Sequence, residues 1–384
     1  MTRFASYTLC GCLALGVLQC APEASSTDGL EGATDTREDA IRLRTSSPEA
    51  RAQYDANVRF ALDYRARCTS TAGSTSRKPR VLVTGFGRFL SNGTNATGQM
   101  VSSLVPGMVY PRTERPATGT VDAPGPQTAV GSARVTLPGI GEVDLCAMVL
   151  PVYWDLAAIL VLKEAQSFAP DFVLMNGIAG ERQSLWMELG GVNRALSLTD
   201  GSNVLEPEPP AGQRFAPIVP SATAGELALG ARLSWAAVQR AALDAQARAA
   251  GVTENGVRLD AVLQGALRAG FPRDSNTYLC NNTSYVVNYG MGHPGLTMTL
   301  MQASPALTGQ INRVGVRVTR DLRNTPRVFV HWPSTLKGAH LSASADVMRA
   351  MIAAQLQALR DGGAALPTLG NNTDAEIMAS GGWF

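Results

Sequence analysis

The stretch Arg80-Val81-Leu82-Val83-Thr84-Gly85-Phe86 decides the fold, because a short apolar run of β type with a glycine near its end predicts a buried strand. A turn rich in Gly and Asn follows, and a helical pattern begins at about Ala96. The alternation returns further on, with strands predicted over 147–152 and 171–175 and a helix between them over Leu156–Phe168. Such alternation indicates an α/β fold whose mostly parallel sheet is covered by helices on both faces.

The rest of the chain continues this pattern, with two interruptions. Surface loops rich in Pro, Thr, Gly or Ala are predicted over 111–133 and 207–224, and an additional helical region over 226–250. We therefore treat 79–360 as the main domain, with insertions near 111–133 and 207–250, and 361–384 as a Gly-rich tail. The later predicted elements are helices over 259–270, 283–289 and 342–359 and strands over 313–318 and 327–330.

Composition and charge exclude several classes of protein. Apolar residues make up 45% of the 384 residues and charged residues 17%, which is typical of a globular chain and excludes disorder throughout or a coiled coil. The formal net charge is +2, and neither sign forms a long run that could follow a nucleic-acid backbone. Nucleic acid is therefore not an expected partner.

The amino terminus is predicted to be an export signal. Residues 4–18 carry no charge, and their apolar part is shorter than the roughly 20 residues that span a membrane. Residues 17–20 resemble a bacterial lipobox, so either Cys20 is lipidated or the chain is cleaved nearby without a lipid; a buried helix is the third alternative. We expect a signal over 1–20, a flexible tether over 21–46 and a periplasmic or extracellular location.

A helical extension is predicted over 47–78, before the main domain. Ser47 can cap a helix whose first position is Pro48, and Tyr54, Val58, Ala61 and Leu62 recur at helical spacing up to Cys68. We expect this helix to pack on the main domain.

Cys280 is the candidate nucleophile. It lies where an irregular polar stretch turns into a helix, and a helix amino terminus lowers the pKa of a thiol and favours the nucleophilic thiolate. The alternative is a buried cysteine that only packs, because a lone Cys after apolar residues often lies in a core.

Of the three histidines, His331 is the best candidate for a general base. It follows the predicted strand 327–330 and would lie at the carboxyl end of that strand, where sites gather in parallel sheets. His293 lies in a predicted turn and His340 enters a predicted helix, so both are expected at the surface. His331 and His340 lack the spacing of metal ligands, and no metal is expected.

Glu188 is the candidate group that orients the base. It stands in an otherwise apolar stretch after the third predicted strand, and a buried carboxylate must be paired. An exposed position on an amphipathic element is the alternative reading of the same pattern.

Four blocks in this order resemble the pyroglutamyl (pyrrolidone-carboxylate) cysteine peptidases. Residues 83–89, VTGFGRF, resemble the T-G-F-D-P-F of the family, and 177–182, GIAGER, resemble its G-Q-A-G-G-R. Residues 277–281, TYLCN, resemble its T-F-V-C-N, and 329–333, FVHWP, its F-I-H-I-P. An ordered Glu, Cys and His in matching contexts is far less expected by chance than a single motif.

The resemblance implies a three-layer α/β/α sandwich and a cysteine exopeptidase without a cofactor. Cys280 would attack, His331 would act as base and acid, and Glu188 would orient the imidazole. The substrate would be a peptide whose amino-terminal pyroglutamyl, or a similar small capped residue, is released through an acyl-enzyme. The resemblance assigns substrate contacts to Phe86, Phe89, Asn95, Ile178 and Leu279.

Departures from the family pattern border the expected pocket. Gly87-Arg88 stands in place of Asp-Pro, Ile178 in place of Gln, and Leu198 where the family carries an arginine. The triad chemistry is therefore better supported than pyroglutamyl specificity, and a binding or scaffold protein that kept the fold is the alternative function. A nucleoside phosphorylase of similar architecture would need phosphate-binding elements that the sequence does not offer.

Three cysteines follow the predicted signal and tether, which in an oxidising compartment leaves one thiol over. Because the resemblance needs Cys280 as a free thiol, we hypothesise a disulfide between Cys68 and Cys146; three reduced cysteines are the alternative. The expected partners are a peptide substrate, a second copy in a homo-oligomer and, if Cys20 is lipidated, a membrane.

Overall fold

A central mixed sheet organises the structure, a computed structural model that describes residues 36–37, 41–70, 77–89, 92–179, 184–264, 267–273, 276–363 and 366–367. All of them belong to one unit of the chain, Asp35–Phe384. The predicted signal and most of the predicted tether and tail lie outside the described residues. The prediction of a flexible tether up to residue 46 is wrong at its end, because Arg42–Arg44 is a strand paired with Gln302–Ser304 and Ile41 and Leu43 are buried. The α-helices are α1 (Pro48–Asp63), α2 (Ala96–Ser102), α3 (Leu156–Phe168), α4 (Trp235–Ala249), α5 (Leu259–Leu263), α6 (Leu279–Gly292) and α7 (Ala339–Arg360). The strands are β1 (Thr36–Arg37), β2 (Arg42–Arg44), β3 (Arg80–Phe86), β4 (Ala129–Leu137), β5 (Gly141–Leu150), β6 (Phe172–Ile178), β7 (Leu185–Glu188), β8 (Gly190–Val192), β9 (Ala195–Leu196), β10 (Phe215–Ala216), β11 (Ala228–Gly230), β12 (Arg232–Leu233), β13 (Thr253–Glu254), β14 (Val257–Arg258), β15 (Leu267–Gly270), β16 (Thr297–Leu300), β17 (Gln302–Ser304), β18 (Val314–Arg317), β19 (Arg327–Trp332) and β20 (Leu366–Pro367).

The strand order of this sheet is β15-β7-β19-β6-β3-β5-β4, and β12 joins it beside β19 and β20. The strands β19, β6, β3 and β5 run parallel, as do β15 and β7, whereas β7 is antiparallel to β19 and β4 to β5. The predicted fold class, with a mostly parallel mixed sheet, is confirmed.

Alternate residues of each central strand enter two different cores. On β6, Val173 and Met175 pack in one core, and Phe172 and Leu174 pack in the other. Because successive side chains of a strand point to opposite faces, these cores lie on opposite sides of the sheet. We call the face covered by α1, α3 and α6 the first face, and the face covered by α2, α4, α5 and α7 the second face. The three layers are thus helices, sheet and helices.

A close crossing of β3 and α2 fixes the first turn of the fold. A Cβ atom on Gly85 would lie 2.5 Å from the backbone oxygen of Thr97, and one on Gly98 would lie 2.2 Å from the backbone oxygen of Phe86. Thr97 Oγ1 also accepts a hydrogen bond from the backbone N–H of Phe86, at 3.2 Å. Glycine at both positions therefore lets the helix lie directly on the end of the strand.

Most predicted elements are present, and their ends differ where tertiary pairing decides them. The strand Arg80–Phe86 and the helix Leu156–Phe168 have the predicted bounds. The predicted helix over 259–270 is wrong in its second half, because α5 ends at Leu263 and Leu267–Gly270 is a strand paired with β7. The predicted insertion over 111–133 is also wrong at its end, since β4 begins at Ala129.

The helical extension packs on the first face and is tied to the sheet. Ser47 caps α1 by accepting a hydrogen bond from the backbone N–H of Ala50, at 3.1 Å, but the helix ends at Asp63 rather than near Cys68. Cys68 forms a disulfide with Cys146 of β5, and Cys280 is the free cysteine among the described residues. The hypothesised pairing is therefore confirmed.

The described part of the chain contains no helix that is both long and apolar enough to cross a membrane.

Candidate active site

Two neighbouring strands carry His331 and Glu188 of the candidate triad on the first face of the sheet, and α6 carries Cys280. His331 of β19 pairs in register with Gly177 of β6 on one side and with Trp186 of β7 on the other. Glu188 lies two residues after Trp186 and therefore points to the same face. His331 is the fifth residue of β19, so the strand reaches past the predicted end at residue 330.

His331 and Glu188 form a buried pair. The Nε2 atom of His331 lies 2.8 Å from Oε1 of Glu188. The Glu188 side chain is 0% exposed and that of His331 6%, which excludes the alternative of an exposed position for Glu188. A carboxylate in this position holds one ring nitrogen and directs the other away from itself, so the imidazole has a defined orientation.

The Cys280 thiol lies over the strand next to His331. A Cβ atom on Gly177 would lie 2.7 Å from Sγ of Cys280 and 2.9 Å from the ring of Phe329. Neighbouring strands are about 4.8 Å apart, and Gly177 and His331 are register partners. The missing side chain of Gly177 therefore provides the space in which the sulfur sits beside His331. Cys280 itself is half-buried.

The protonation state of the thiol differs from the sequence-based expectation. Burial raises the pKa of Cys280 far above its ordinary value, and the negative charge of Glu188 raises it further. The expectation that the start of α6 lowers this pKa is wrong, because loss of solvation outweighs the effect of the helix end. With its pKa raised in this way, the thiol needs a base to attack a substrate.

Side chains that follow Cys280 lock the start of α6 in place. Asn281 accepts a hydrogen bond from the backbone N–H of Val192, at 2.8 Å, and donates to the backbone oxygens of Val192 and Arg194, at 2.9 and 2.7 Å. Asn282 exchanges two hydrogen bonds with Asp155, at 2.8 and 2.9 Å. All of these groups are buried or partly buried, so the nucleophile is carried on a fixed helix turn.

Aromatic rings pack together beside the residues that precede Cys280. The ring of Tyr278, two residues before Cys280, packs edge-on against Phe89 at a centroid distance of 6.0 Å and against Trp154 at 5.3 Å. Phe86 lies 6.3 Å from Phe329 on the same face. The predicted contacts Phe86 and Phe89 thus lie on the nucleophile's side of the sheet. Trp154 could not be recognised from the sequence, because the residues around it form no motif that is typical of a site.

The other predicted substrate contacts fall into three situations. Leu279 is buried in the core of the first face, directly before Cys280. Asn95 is buried and caps α2, since its Oδ1 accepts hydrogen bonds from the backbone N–H and the hydroxyl of Thr97, at 3.1 and 2.8 Å. Ile178 packs on the second face, away from the thiol, because it follows Gly177 in a strand. The structure therefore does not bring the side chain of Ile178 to the site.

Asp200 is a buried carboxyl group near the site that the sequence did not reveal. Burial raises the pKa of Asp200 to about 7; burial also raises the pKa of Tyr278, and the charge of Asp200 raises it further. Its Oδ1 accepts hydrogen bonds from the backbone N–H and the hydroxyl of Ser202. Asp200 is followed by glycine and resembles an ordinary turn, so no pattern distinguishes it. Leu198, which stands where the resembled family has arginine, is exposed.

The two remaining histidines lie outside the triad. His293 follows α6, is half-buried, and places Nε2 2.8 Å from Oε1 of Glu226. His340 is buried in α7 with Nε2 3.0 Å from the backbone oxygen of Val257, so the prediction of a surface position is wrong. Among the described residues, no three His, Cys, Asp or Glu side chains are grouped as a metal would require.

Comparison with known proteins gives matches in structure alone. No protein-family model and no curated protein sequence matches this chain. The chain is similar to pyrrolidone carboxyl peptidase from Thermococcus litoralis, with 16% identity and a TM-score of 0.45, over 75% of this chain and 98% of that one. It is also similar to pyrrolidone carboxyl peptidase from Pyrococcus furiosus, with 15% identity and a TM-score of 0.44, over 73% and 99%. The chemistry of the site rests on the residues of this chain.

Proposed function

We propose that this protein is a cysteine peptidase that releases an amino-terminal pyroglutamyl, or a similar small capped residue, from peptides. One observation carries the proposal: the Cys280 thiol, the His331 imidazole and the Glu188 carboxylate share the first face of the sheet. The Sγ atom lies over Gly177, the register partner of His331, and His331 Nε2 lies 2.8 Å from Glu188. A thiol, a base and a group that orients the base are the parts of a nucleophilic hydrolase.

The raised thiol pKa supports a first step by general-base catalysis. His331 accepts the proton from Sγ of Cys280 while the sulfur attacks the substrate carbonyl carbon, and Glu188 stabilises the imidazolium. Backbone N–H groups in the first turn of α6 stabilise the negative oxygen, because they have no intrahelical acceptor. His331 then protonates the leaving amine as the C–N bond breaks, which leaves a thioester on Cys280.

Water completes the cycle. His331 accepts a proton from a water molecule whose oxygen attacks the thioester carbonyl carbon, and the C–S bond breaks with return of the proton to sulfur. The products are the free capped residue and the shortened peptide.

The walls of the site favour a small apolar group. The partly exposed rings of Phe89 and Tyr278 pack edge-on, and the buried ring of Trp154 supports Tyr278 from behind. A five-membered lactam has two flat apolar faces and one amide edge, which suits a slot of this kind.

The direct test is release of a fluorophore from a pyroglutamyl amide by the full chain. Cys280→Ala and a panel of unblocked aminoacyl amides serve as controls. We expect thiol-dependent release from the pyroglutamyl amide, at least about a thousandfold slower in Cys280→Ala, because the acyl-enzyme cannot form. Equal release by the variant would defeat the mechanism, and release only from unblocked amides would assign a different substrate.

The raised thiol pKa also supports a second candidate, a binding or scaffold protein that keeps the fold without turnover. An inert buried cysteine would stay protonated at neutral pH. In the peptidase, iodoacetamide should modify Cys280 at pH 7 and His331→Ala should slow this reaction at least about tenfold. Equally slow modification of both proteins would favour the scaffold.

Export and lipidation of Cys20 stay predictions, since both concern residues that lie outside the described part of the chain.

A further inference from the structure

Arg88 is a buried cation in the loop that carries Phe89. Its side chain is 1% exposed, its Nη2 donates to Oδ2 of Asp122, and its Nε donates to the Thr113 hydroxyl at 3.3 Å. Both partners lie in the predicted insertion over 111–133, in the part that precedes β4. A buried charge is tolerated only when it is paired, so the segment and the loop depend on each other.

The helix α1 holds Asp122 from the other side. Oε1 of Gln53 accepts a hydrogen bond from the backbone N–H of Asp122, and Nε2 of Gln53 donates to its backbone oxygen, both at 2.8 Å. One side-chain amide thus pairs with both the backbone N–H and the backbone oxygen of Asp122, as a residue of a neighbouring strand would. Gln53 is buried, and its Nε2 also donates to Asn57, one turn along α1, at 2.9 Å. The predicted amino-terminal extension therefore fixes the backbone of Asp122.

The same aspartate reaches the aromatic wall by a second path. Gln127 donates to Oδ1 of Asp122 at 2.8 Å, and the hydroxyl of Tyr153 donates to the backbone oxygen of Asp122 at 2.8 Å. Tyr153 precedes Trp154, whose ring packs on Tyr278. Asp122 is therefore bonded to α1, to the Arg88 loop and to the chain beside the nucleophile.

The consequence concerns the position of Phe89. Arg88 is fixed by Asp122, and the next ring, that of Phe89, packs on Tyr278 two residues before Cys280. We propose that Arg88 and Asp122, held by Gln53, are positioning residues that keep the Phe89 ring as a wall of the substrate site, so that α1 and the insertion set the substrate specificity of this enzyme. This inference rests on the proposed peptidase function.

A role confined to folding would affect stability and leave substrate affinity unchanged. Substrate affinity therefore distinguishes a positioning role of these residues from a folding role. In the double variant Arg88→Met with Asp122→Asn, no unpaired charge stays buried, and Gln53→Leu removes the clamp but keeps the ion pair. Arg134→Met is the matched control, because Arg134 pairs with Asp144 at 3.2 Å on the edge strand β4.

The first readout is hydrolysis of the pyroglutamyl amide by the full chain. We expect KM to rise at least about tenfold in the double variant and about threefold in Gln53→Leu, with kcat within about threefold, because the triad is untouched. Arg134→Met should resemble the wild type.

The second readout does not need turnover. Iodoacetamide and a bulky aromatic maleimide react with Cys280, and peptide mass spectrometry quantifies both products at this residue. The ratio of the maleimide rate to the iodoacetamide rate should rise at least about fivefold in both test variants, because the wall no longer screens the thiol.

The outcomes separate the two hypotheses. An unchanged ratio in either folded variant overturns the positioning role, whatever the substrate. A wild-type protein that alkylates quickly but releases no pyroglutamyl group contradicts the proposed substrate, and the ratio still decides the inference. If the double variant fails to fold, Gln53→Leu gives the decision alone.

Discussion

At the scale of the residue, Gly177 decides whether the thiol can occupy its place. Any side chain there would overlap Sγ of Cys280 and the Phe329 ring, at 2.7 and 2.9 Å from the Cβ position. Gly177→Ala should therefore displace the sulfur and lower kcat/KM by at least about a hundredfold, because a misplacement of about 1 Å has this effect in oriented sites.

The matched control is Gly292→Ala at the end of the same helix, α6, where an added Cβ meets no atom within 4 Å. We expect it to retain wild-type activity. Retention of full activity by Gly177→Ala would mean that the sulfur does not need the space over β6.

At the scale of the element, a residue with an unusual backbone conformation, Asp155, joins α3 to α6 by hydrogen bonds. Asp155 precedes α3 with φ 56°, a left-handed conformation that is costly for a residue with a side chain. Its two carboxylate oxygens accept hydrogen bonds from Asn282 of α6 and from the backbone N–H of Met301, both at 2.8 Å. The strained residue is thus held by the helix that carries Cys280.

Burial raises the pKa of Asp155 from 3.8 to about 6, so the folded protein binds this proton more tightly than the unfolded chain does. The contribution to stability is therefore fully present below pH 3.8 and is lost as the pH rises through 6. Lowering the pH from 7 to 4.5 should increase the unfolding free energy of the wild type relative to Asp155→Asn by about 2 kcal/mol.

Urea unfolding of both proteins at each pH measures this difference, and changes that are common to both proteins cancel. Asp346→Asn, on the exposed side of α7, is the control for a carboxylate at the surface. A difference that is independent of pH would contradict the raised pKa.

The elements also show what the sequence could predict. The bounds of β3 and α3 followed from continuous apolar patterns, which burial on both sides imposes on parallel strands and covering helices. The strand Leu267–Gly270 was read as helix because its pairing with β7 decides its conformation, and its partners in β7 lie 82 residues earlier in the sequence, as Leu185 does from Leu267.

The candidate site also contains some residues that the sequence could reveal and others that it could not. Cys280, His331 and Glu188 could be recognised because each lies in a short local motif. Arg88 was visible only as a departure from a motif, since its partner Asp122 lies 34 residues later in a loop without a pattern. The raised pKa of Cys280 could not be anticipated, because it depends on burial and on the charge of Glu188.

At the scale of the whole molecule, the disulfide joins the amino-terminal extension to the sheet. Cys68 and Cys146 are 78 residues apart in the sequence, and the loop that they close contains β3, α2 and β4. Buried Glu164 of α3 holds the same segment by accepting hydrogen bonds from the Tyr64 hydroxyl and from the backbone N–H of Cys68. The extension is thus held both covalently and by hydrogen bonds.

Removal of this bridge should separate stability from chemistry. A closed loop of this length corresponds to about 4 kcal/mol of loop-closure free energy, so Cys68→Ser with Cys146→Ser should lower the unfolding free energy by about that amount. Guanidinium unfolding without reductant measures the loss, and dithiothreitol should destabilise the wild type but not the double variant. Because Glu164 still holds the segment, the folded double variant should keep α1 on Asp122 and alkylate Cys280 at the wild-type rate. An unchanged unfolding free energy would show that hydrogen bonds and packing alone secure the extension.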